Sequence, residues 1–237
     1  MSTYVLVHGA FHGSWCWDKI VPLLEQAGHQ VEVPDLPGHG QDKTPLREIT
    51  LAAYTNRVCE TLDAHVEPVI LVGHSLGGMV ITQAAEERPA KIHRLVYLTA
   101  LLPQNGETAR QFAQMESDSL LVPNLVVNRE QGYQTFKEGA PLKDIFYGDC
   151  SQEDVARAIS LLVPQPLAPG GTPVSITAER FGRVPRVYIE CLLDRVIPQL
   201  FRKGCTRQRR VKPSCRCRPA TRLSSQHPSS WSDISLP

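Results

Sequence analysis

The sequence predicts an α/β protein in which a mainly parallel sheet carries helices on both faces and has a helical cap inserted into it. Over the first hundred residues, short apolar runs alternate with helical patterns. Such alternation is typical of right-handed crossovers between parallel strands. The rhythm stops over residues 104–181 and resumes at 186–193 with a strand-like run. The 237 residues therefore suit one large domain with an insertion.

Each element rests on its own local signal. Buried strands are expected where short apolar runs meet turn residues, at 4–7, 31–33, 69–72, 95–98 and 186–193. Helices are expected where apolar residues recur at helical spacing, at 17–27, 51–65 and 77–87. Thr50 is a plausible N-cap for the second helix. The sequence therefore predicts a core of residues 1–103 and 182–198, a cap of residues 104–181 and an atypical tail of residues 199–237.

Composition excludes several classes of protein. Hydrophobic residues make up 42% of the chain and charged residues 21%, which is ordinary for a globular protein. No run approaches the length of a membrane span. The start of the chain has no basic stretch or cleavage site, and seven cysteines is an odd number. We therefore expect a cytoplasmic protein without a disulfide framework or a membrane partner.

The strongest chemical signal is a G-x-S-x-G motif between a predicted strand and a predicted helix. Residues 73–78 are Gly-His-Ser-Leu-Gly-Gly. A serine in that context lies on a sharp turn that exposes its hydroxyl, and the glycines leave room for the turn. Ser75 is therefore the candidate nucleophile. The alternative is a glycine-rich strand-to-helix turn with an incidental serine.

A second motif follows the first predicted strand, where residues 8–13 are His-Gly-Ala-Phe-His-Gly. The backbone N–H groups of Ala10 and Leu76 are candidates for an oxyanion hole. The alternative is a turn that needs glycine for its backbone conformation. His8 and His74 flank these amides and are expected to pack and form hydrogen bonds rather than act as bases.

The candidate acid is Asp194, at the end of the last predicted strand. In a Ser-Asp-His chain order, an acid at that position orients the histidine and stabilises its charged form. The alternative for Asp194 is a turn cap. Asp35 competes for the role, although its place in the chain order is wrong.

Four segments together resemble the α/β-hydrolase superfamily. They are residues 7–17, 35–40, 73–79 and 183–189. Within it they are similar to small carboxylesterases, plant methyl-ester esterases and hydroxynitrile lyases, and the resemblance covers residues 1–198. It implies Ser75 as nucleophile, Asp194 as triad acid and the Ala10 and Leu76 amides as oxyanion hole. The implied substrates are small, fairly apolar carboxylic esters, with no metal, cofactor or nucleic-acid partner.

The tail from Gln199 departs from this family. It carries nine of the 25 basic residues but only one of the 24 acidic residues. We expect it to be disordered, with neither strand nor helix, which would leave a sheet edge exposed. The family pattern requires a catalytic histidine here, but the only histidine after Asp194 is His227. Binding of nucleic acid or an anionic membrane by the tail is disfavoured, because its basic residues show no aromatic interleaving or amphipathic pattern. A metal site is disfavoured because Cys205, Cys215 and Cys217 lack the usual ligand spacing.

The genetic code offers an explanation for the missing histidine. Residues 220–226 can be encoded so that reading from the third base of the Ala220 codon gives His-Ser-Pro-Phe-Phe-Ser. The family carries this type of motif at its catalytic histidine. We therefore predict that the chain beyond about Pro198 is an out-of-frame translation.

Two other functions are kept open. A hydroxynitrile lyase is the nearest alternative on the same scaffold. That branch is expected to have a lysine beside the histidine, whereas the offset frame gives serine. A catalytically silent protein that binds a small ligand is the other alternative, supported by the absence of a well-placed histidine. The oligomeric state stays unassigned.

Overall fold

The fold is seen in a computed structural model that describes residues 1–114, 119–191, 194 and 196, and the backbone of 212–217. The strands are β1 (Thr3–Val7), β2 (Gln30–Glu32), β3 (Val69–Ser75), β4 (Ile92–Ala100), β5 (Leu125–Asn128), β6 (Tyr133–Phe136), β7 (Gln165–Pro166), β8 (Arg186–Cys191) and β9 (Lys212–Cys217). The helices are α1 (Val21–Gln26), α2 (Leu51–Asp63), α3 (Gly77–Glu87), α4 (Ala109–Gln114), α5 (Leu142–Phe146), α6 (Gln152–Ser160) and α7 (Leu167–Gly171).

The central sheet has six strands in the order β2-β1-β3-β4-β8-β9, and every neighbouring pair is parallel. Its interior strands are apolar because both faces are covered, as a parallel sheet requires. Alternate residues of β3 enter different hydrophobic clusters: Leu71 lies in one, and Ile70 and Val72 lie in the other. The expected class, an α/β fold with a mainly parallel sheet and helices on both faces, is confirmed.

The predicted core helices are present, with one change. The side chain of Thr50 accepts a hydrogen bond from the Ala53 amide and so caps α2 as expected. The first helix is shorter than predicted, because residues 14–17 form a separate 3₁₀ turn and α1 begins only at Val21. Pro22 explains this start, since a proline in the first helical turn has no amide hydrogen that an earlier carbonyl could bind.

The segment between β4 and β8 contains α4 to α7, as a helical insertion would. It also contains a three-stranded antiparallel sheet, β5-β6-β7, which the sequence reasoning missed. The sequence pattern is weak because these strands span only two to four residues. In β5, the consecutive residues Val126 and Val127 are both exposed, at 45% and 47%. Such a strand does not show the alternation that marks one buried face.

The prediction that the tail contains no strand is wrong at β9. This strand pairs in parallel with β8, so that Val187 lies beside Lys212 and Cys191 beside Cys217. Backbone hydrogen bonding to an otherwise open edge explains the strand, since edge pairing uses N–H and C=O groups whatever the side chains are. Pro213 is tolerated because a proline fits an edge strand. The remaining residues of the tail, including His227, lie outside the described residues.

Within the described part of the chain, none of the helices is both long enough and apolar enough to cross a bilayer.

Candidate active site

Ser75 is the last residue of β3 and adopts a left-handed backbone conformation with φ of 52°. This conformation is unfavourable for a residue with a side chain, and it is the sharp turn that the motif predicts. A Cβ added to Gly73 would lie 2.8 Å from the Gly77 carbonyl oxygen. A Cβ on Gly77 would lie 2.8 Å from the carbonyl oxygen of Val7. The two motif glycines are therefore required by close packing around the turn.

The loop after β1 lies directly against Ser75. A Cβ added to Gly9 would be 2.8 Å from Cβ of Ser75, a distance that real side chains do not show. Ala10 follows on this loop, so its amide is close to the serine turn. The next amide, that of Phe11, is already used: it donates to Oε1 of Gln165 at 3.1 Å. Leu76 precedes the first turn of α3, where the helix dipole favours negative charge.

Asp194 is a buried carboxylate, 8% exposed, just beyond β8. Its Oδ1 accepts a hydrogen bond from the Val196 amide at 2.7 Å. Its Oδ2 accepts a hydrogen bond from the hydroxyl of Thr99, which is fully buried near the end of β4. Each carboxylate oxygen of Asp194 is therefore held in place by a hydrogen bond from a described donor. Thr99 was not among the residues singled out from the sequence.

The sheet order brings the candidate residues to one edge. The strands β1, β3, β4 and β8 are neighbours and parallel, so their carboxyl ends lie together. Ser75 ends β3 and is paired with Ala100 of β4, and Asp194 follows β8 on the far side of β4. At about 4.8 Å between strands, β3 and β8 are separated by about 10 Å. A serine and a carboxylate at that spacing leave room for an intervening imidazole.

Backbone strain is concentrated at this edge. Among the described residues, only Phe11, Ser75 and Thr99 are non-glycine residues with positive φ, at 64°, 52° and 37°. One lies on the candidate oxyanion loop, one is the candidate nucleophile and one holds the candidate acid. Such conformations persist only where surrounding contacts enforce them, and they are typical of functional sites.

His8 is fully buried beneath the oxyanion loop and both of its ring nitrogens are occupied. The amide of Leu36 donates to Nε2 at 3.1 Å, so the proton is on Nδ1, which donates to the Gly9 carbonyl oxygen at 2.8 Å. Burial, with a smaller contribution from nearby His39, lowers the pKa of His8 to about 3. His8 therefore stays neutral and holds two loops together.

His12 supports the same loop from the other side. Its Nδ1 donates to the carbonyl oxygen of Ala10 at 2.6 Å, and its Nε2 lies 3.1 Å from the hydroxyl of Tyr147, the residue after α5. Both side chains are 1% exposed. His12 thus connects the oxyanion loop to the segment inserted between β4 and β8.

Asp35, the competing acid, has a structural role in the described contacts. Its Oδ1 accepts a hydrogen bond from the Ser14 amide at 2.6 Å, and its Oδ2 accepts one from the Gln41 amide at 3.0 Å. A Cβ on Gly40 would lie 2.2 Å from Oδ1 of Asp35. The carboxylate therefore joins the loop after β1 to the turn after β2.

The remaining sequence predictions fall on residues that are not described. The candidate histidine, His227, lies outside the described residues, as does residue 205, and no side chain of β9 is described. Among the described side chains, no group of three or more histidine, cysteine or acidic residues could hold a metal ion.

Sequence comparison identifies the class of protein to which this fold and this candidate site belong. Residues 4–228 match the alpha/beta hydrolase family, so the chain belongs to that family. Salicylic acid-binding protein 2 of Nicotiana tabacum is 38% identical over 215 residues, which cover 84% of this chain and 82% of the relative. Methylesterase 10 of Arabidopsis thaliana is 33% identical over 215 residues, covering 84% of this chain and 78% of the relative.

A solved structure agrees with the family assignment. The pyrethroid hydrolase of Sphingobium faniae JZ-2 has a TM-score of 0.85 to this chain at 29% sequence identity. The match covers 98% of this chain and 94% of that chain. The resemblance to small esterases of the α/β-hydrolase fold is therefore confirmed.

Proposed function

We propose that this protein is a carboxylic ester hydrolase that acts on small, fairly apolar esters through a serine nucleophile and an acyl-enzyme. The observation that carries the proposal is the left-handed turn at Ser75, with the Ala10 loop packed against it. The names of two similar proteins, a methylesterase and a pyrethroid hydrolase, support ester hydrolysis. Phe11 packs against Phe136 with ring centroids 4.5 Å apart, so the oxyanion loop has apolar surroundings that suit a fairly apolar ester.

The mechanism follows from the roles of these groups. The Ser75 hydroxyl attacks the ester carbonyl while a histidine, oriented by Asp194, takes its proton. The negative charge that develops on the carbonyl oxygen is stabilised by the amides of Ala10 and Leu76 and by the N-terminus of α3. The histidine returns the proton to the leaving alcohol, and water then releases the acid from Ser75 by the same steps.

The histidine itself is the open element of this mechanism. We propose that it is encoded in the offset frame, so that residues beyond about Pro198 are out of frame and the intact protein carries His-Ser-Pro-Phe-Phe-Ser. Sequencing the coding DNA from the Leu193 codon to beyond the stop tests this directly. A missing or extra base near Pro198 supports it. An uninterrupted frame contradicts it and leaves His227 as the candidate base.

The second candidate is a protein that binds a small ligand without catalysing a reaction. One observation favours it: in the sequence as it stands, here called the literal chain, His227 is the only histidine after Asp194. The name of salicylic acid-binding protein 2 also includes a binding role. Without a base, the Ser75 hydroxyl is a poor nucleophile. A hydroxynitrile lyase is disfavoured by the serine beside the histidine in the offset frame.

Hydrolysis of p-nitrophenyl acetate and p-nitrophenyl butyrate, with Ser75→Ala as the control, distinguishes the hydrolase from the binding protein. We expect the chain with the restored reading frame to hydrolyse both esters, and we expect this turnover to disappear when Ser75→Ala is introduced into it. Binding of salicylate without turnover of either ester, in both the literal and the frame-restored chain, would exclude the hydrolase.

We further propose a reducing compartment, the cytoplasm, for this activity. The chain has seven cysteines, an odd number that argues against a disulfide framework. Reduced cysteines are the usual state in that compartment. Fractionation of the source cells, followed by immunodetection of the chain, tests this location.

A further inference from the structure

The peptide between Ala10 and Phe11 is held from outside the core by the segment inserted between β4 and β8. The Phe11 amide donates to Oε1 of Gln165 at 3.1 Å, and the Phe11 carbonyl oxygen accepts from the Val163 amide at 3.0 Å. Gln165 begins the short strand β7. The amide and the carbonyl group of Phe11 are therefore both held by residues of the inserted segment that are two positions apart, Gln165 and Val163.

The orientation of the Gln165 side chain is fixed by its partners. A backbone N–H can only donate, so the atom that meets the Phe11 amide must be the oxygen of the side-chain amide. The same oxygen lies 3.1 Å from Nε2 of His39. The side-chain nitrogen of Gln165, Nε2, donates to the hydroxyl of Tyr54 at 3.3 Å and to the Pro166 carbonyl oxygen at 3.1 Å.

This arrangement is buried and complete. Gln165 is 2% exposed, and His39 and Tyr54 are 1% and 0% exposed. A buried side-chain amide with each of its polar atoms in a hydrogen bond is held in one rotamer, because every departure leaves a buried donor or acceptor unsatisfied. Gln165 is thus a rigid support rather than a flexible contact.

The support acts on a strained residue. Phe11 has φ of 64°, a backbone conformation that is unfavourable for a residue with a side chain. The residue therefore stays in this conformation only because contacts with its surroundings hold it there. Rotation about φ of Phe11 would turn the Ala10–Phe11 peptide and, through Ala10, shift the neighbouring Gly9–Ala10 peptide, whose N–H is the candidate oxyanion donor. Oxyanion donors stabilise developing charge only when they are fixed in place before the reaction.

We propose that Gln165 is a positioning residue for the oxyanion hole, and that its Oε1 holds Phe11 in the left-handed conformation that directs the Ala10 amide towards Ser75. This inference rests on the proposed ester hydrolase function. It assigns a role in the chemistry to a residue of the inserted segment that does not touch the reacting atoms.

The test compares two substitutions at Gln165 in the full-length protein, expressed from coding DNA whose reading frame has been checked. Gln165→Met keeps the length of the side chain but removes the acceptor for the Phe11 amide. Gln165→Glu keeps an acceptor oxygen in the same place, and in the neutral form that burial favours its hydroxyl can still donate to the Pro166 carbonyl oxygen. With p-nitrophenyl butyrate we expect Gln165→Met to lower kcat about 10- to 100-fold, below the loss from deleting an oxyanion donor outright, with KM changed by less than about twofold. Gln165→Glu should recover most of that loss.

Hydrogen exchange of the peptide spanning residues 8–14 provides a reading that does not depend on turnover. We expect faster exchange of the Phe11 amide in Gln165→Met and protection retained in Gln165→Glu. Thr82→Val is the matched control, because the fully buried Thr82 hydroxyl bonds to the Gly78 carbonyl oxygen and the Tyr97 hydroxyl, away from this loop. It should lower the melting temperature without changing exchange at Phe11.

Each outcome decides the proposal. Unchanged kcat in Gln165→Met, in a protein whose turnover is abolished by Ser75→Ala, overturns the positioning role and leaves the hydrolase function intact. Equal losses of kcat in Gln165→Met and Thr82→Val overturn it as a general effect of destabilisation. If the wild-type protein has no ester turnover, the proposed function fails. Hydrogen exchange then decides separately whether Gln165 holds the loop. An unchanged exchange rate of the Phe11 amide in Gln165→Met would overturn this structural role as well.

Discussion

The hydroxyl of Thr99 donates a hydrogen bond to Oδ2 of Asp194 and thereby ties the end of β4 to the chain that leaves β8. Thr99 is fully buried, and Asp194 is 8% exposed. Thr99 also has positive φ, at 37°, so the backbone is bent to bring its hydroxyl to the carboxylate. The contact fixes one of the two carboxylate oxygens, while the Val196 amide fixes the other.

Substitution of Thr99 tests whether this contact serves catalysis. Thr99→Val keeps the branched shape but removes the donor, and hydrogen bonds to charged groups contribute about 1.5–3 kcal/mol. We therefore expect kcat for ester hydrolysis to fall about 10- to 100-fold, because one of the hydrogen bonds that orient Asp194 is lost. Thr99→Ser keeps the hydroxyl and should retain most of the activity. Equal activity in the valine and wild-type proteins would contradict the role.

The strain at Ser75 gives a prediction on stability that is separate from activity. Both Ser75→Ala and Ser75→Gly remove the hydroxyl, so we expect neither variant to hydrolyse esters. Glycine adopts positive φ without the steric penalty of about 1–2 kcal/mol that a Cβ causes. Ser75→Gly should therefore be more stable than Ser75→Ala by about 1 kcal/mol in urea unfolding. An alanine variant as stable as the glycine variant would show that the turn stores little strain.

The core of the fold could be predicted from the sequence because its signals are local. The apolar run of β3 and the helix that follows it were identified closely, and α3 begins and ends at the residues expected, 77 and 87. The sheet β5-β6-β7 and the strand β9 could not be predicted. Their short, partly polar segments are ordered by pairing with other strands, which a local pattern does not show.

The candidate site divides in the same way. Ser75 and Ala10 lie in glycine motifs whose spacing can be read directly, and Asp194 follows a readable strand. Thr99 and Gln165 have no motif. Their importance comes from contacts across 95 and 154 positions of the chain, which only the folded structure brings together. Conversely, the sequence leaves Asp35 as a competing acid, whereas in the structure its carboxylate accepts hydrogen bonds from two loop amides.

The approach of Gly9 to Ser75 predicts a strong effect of a single methyl group. Gly9→Ala would place its Cβ 2.8 Å from Cβ of Ser75, so the oxyanion loop and the serine turn must move apart. A misplacement of about 1 Å between reacting groups can lower the rate about 100-fold. We expect a loss of that order in kcat. Gly148→Ala is the control, since its Cβ meets no atom within 4 Å. Equal activities of the two variants would place the oxyanion donors elsewhere.

The buried neutral state of His8 predicts how stability depends on pH. Its folded-state pKa is lowered to about 3, whereas an unfolded histidine has a pKa of about 6.5. Between these values the unfolded chain binds a proton that the folded chain does not, so stability falls as pH decreases through this window. From about pH 7.5 to about pH 5.5, His8 alone should lower the free energy of unfolding by about 1.4 kcal/mol.

Urea unfolding of the wild-type protein and His8→Gln at these two pH values measures this contribution. Glutamine keeps a side-chain oxygen that can accept from the Leu36 amide but has no titrating group. We expect the variant to be less stable at the higher pH, because it loses the bond from Nδ1 to the Gly9 carbonyl oxygen. It should also lose about 1.4 kcal/mol less than the wild-type protein on acidification. His39, whose pKa is also lowered mainly by burial, titrates in both proteins, and the difference between them therefore belongs to His8. Identical pH dependence in the two proteins would mean that His8 is protonated within the fold, which its hydrogen bond from the Leu36 amide does not allow.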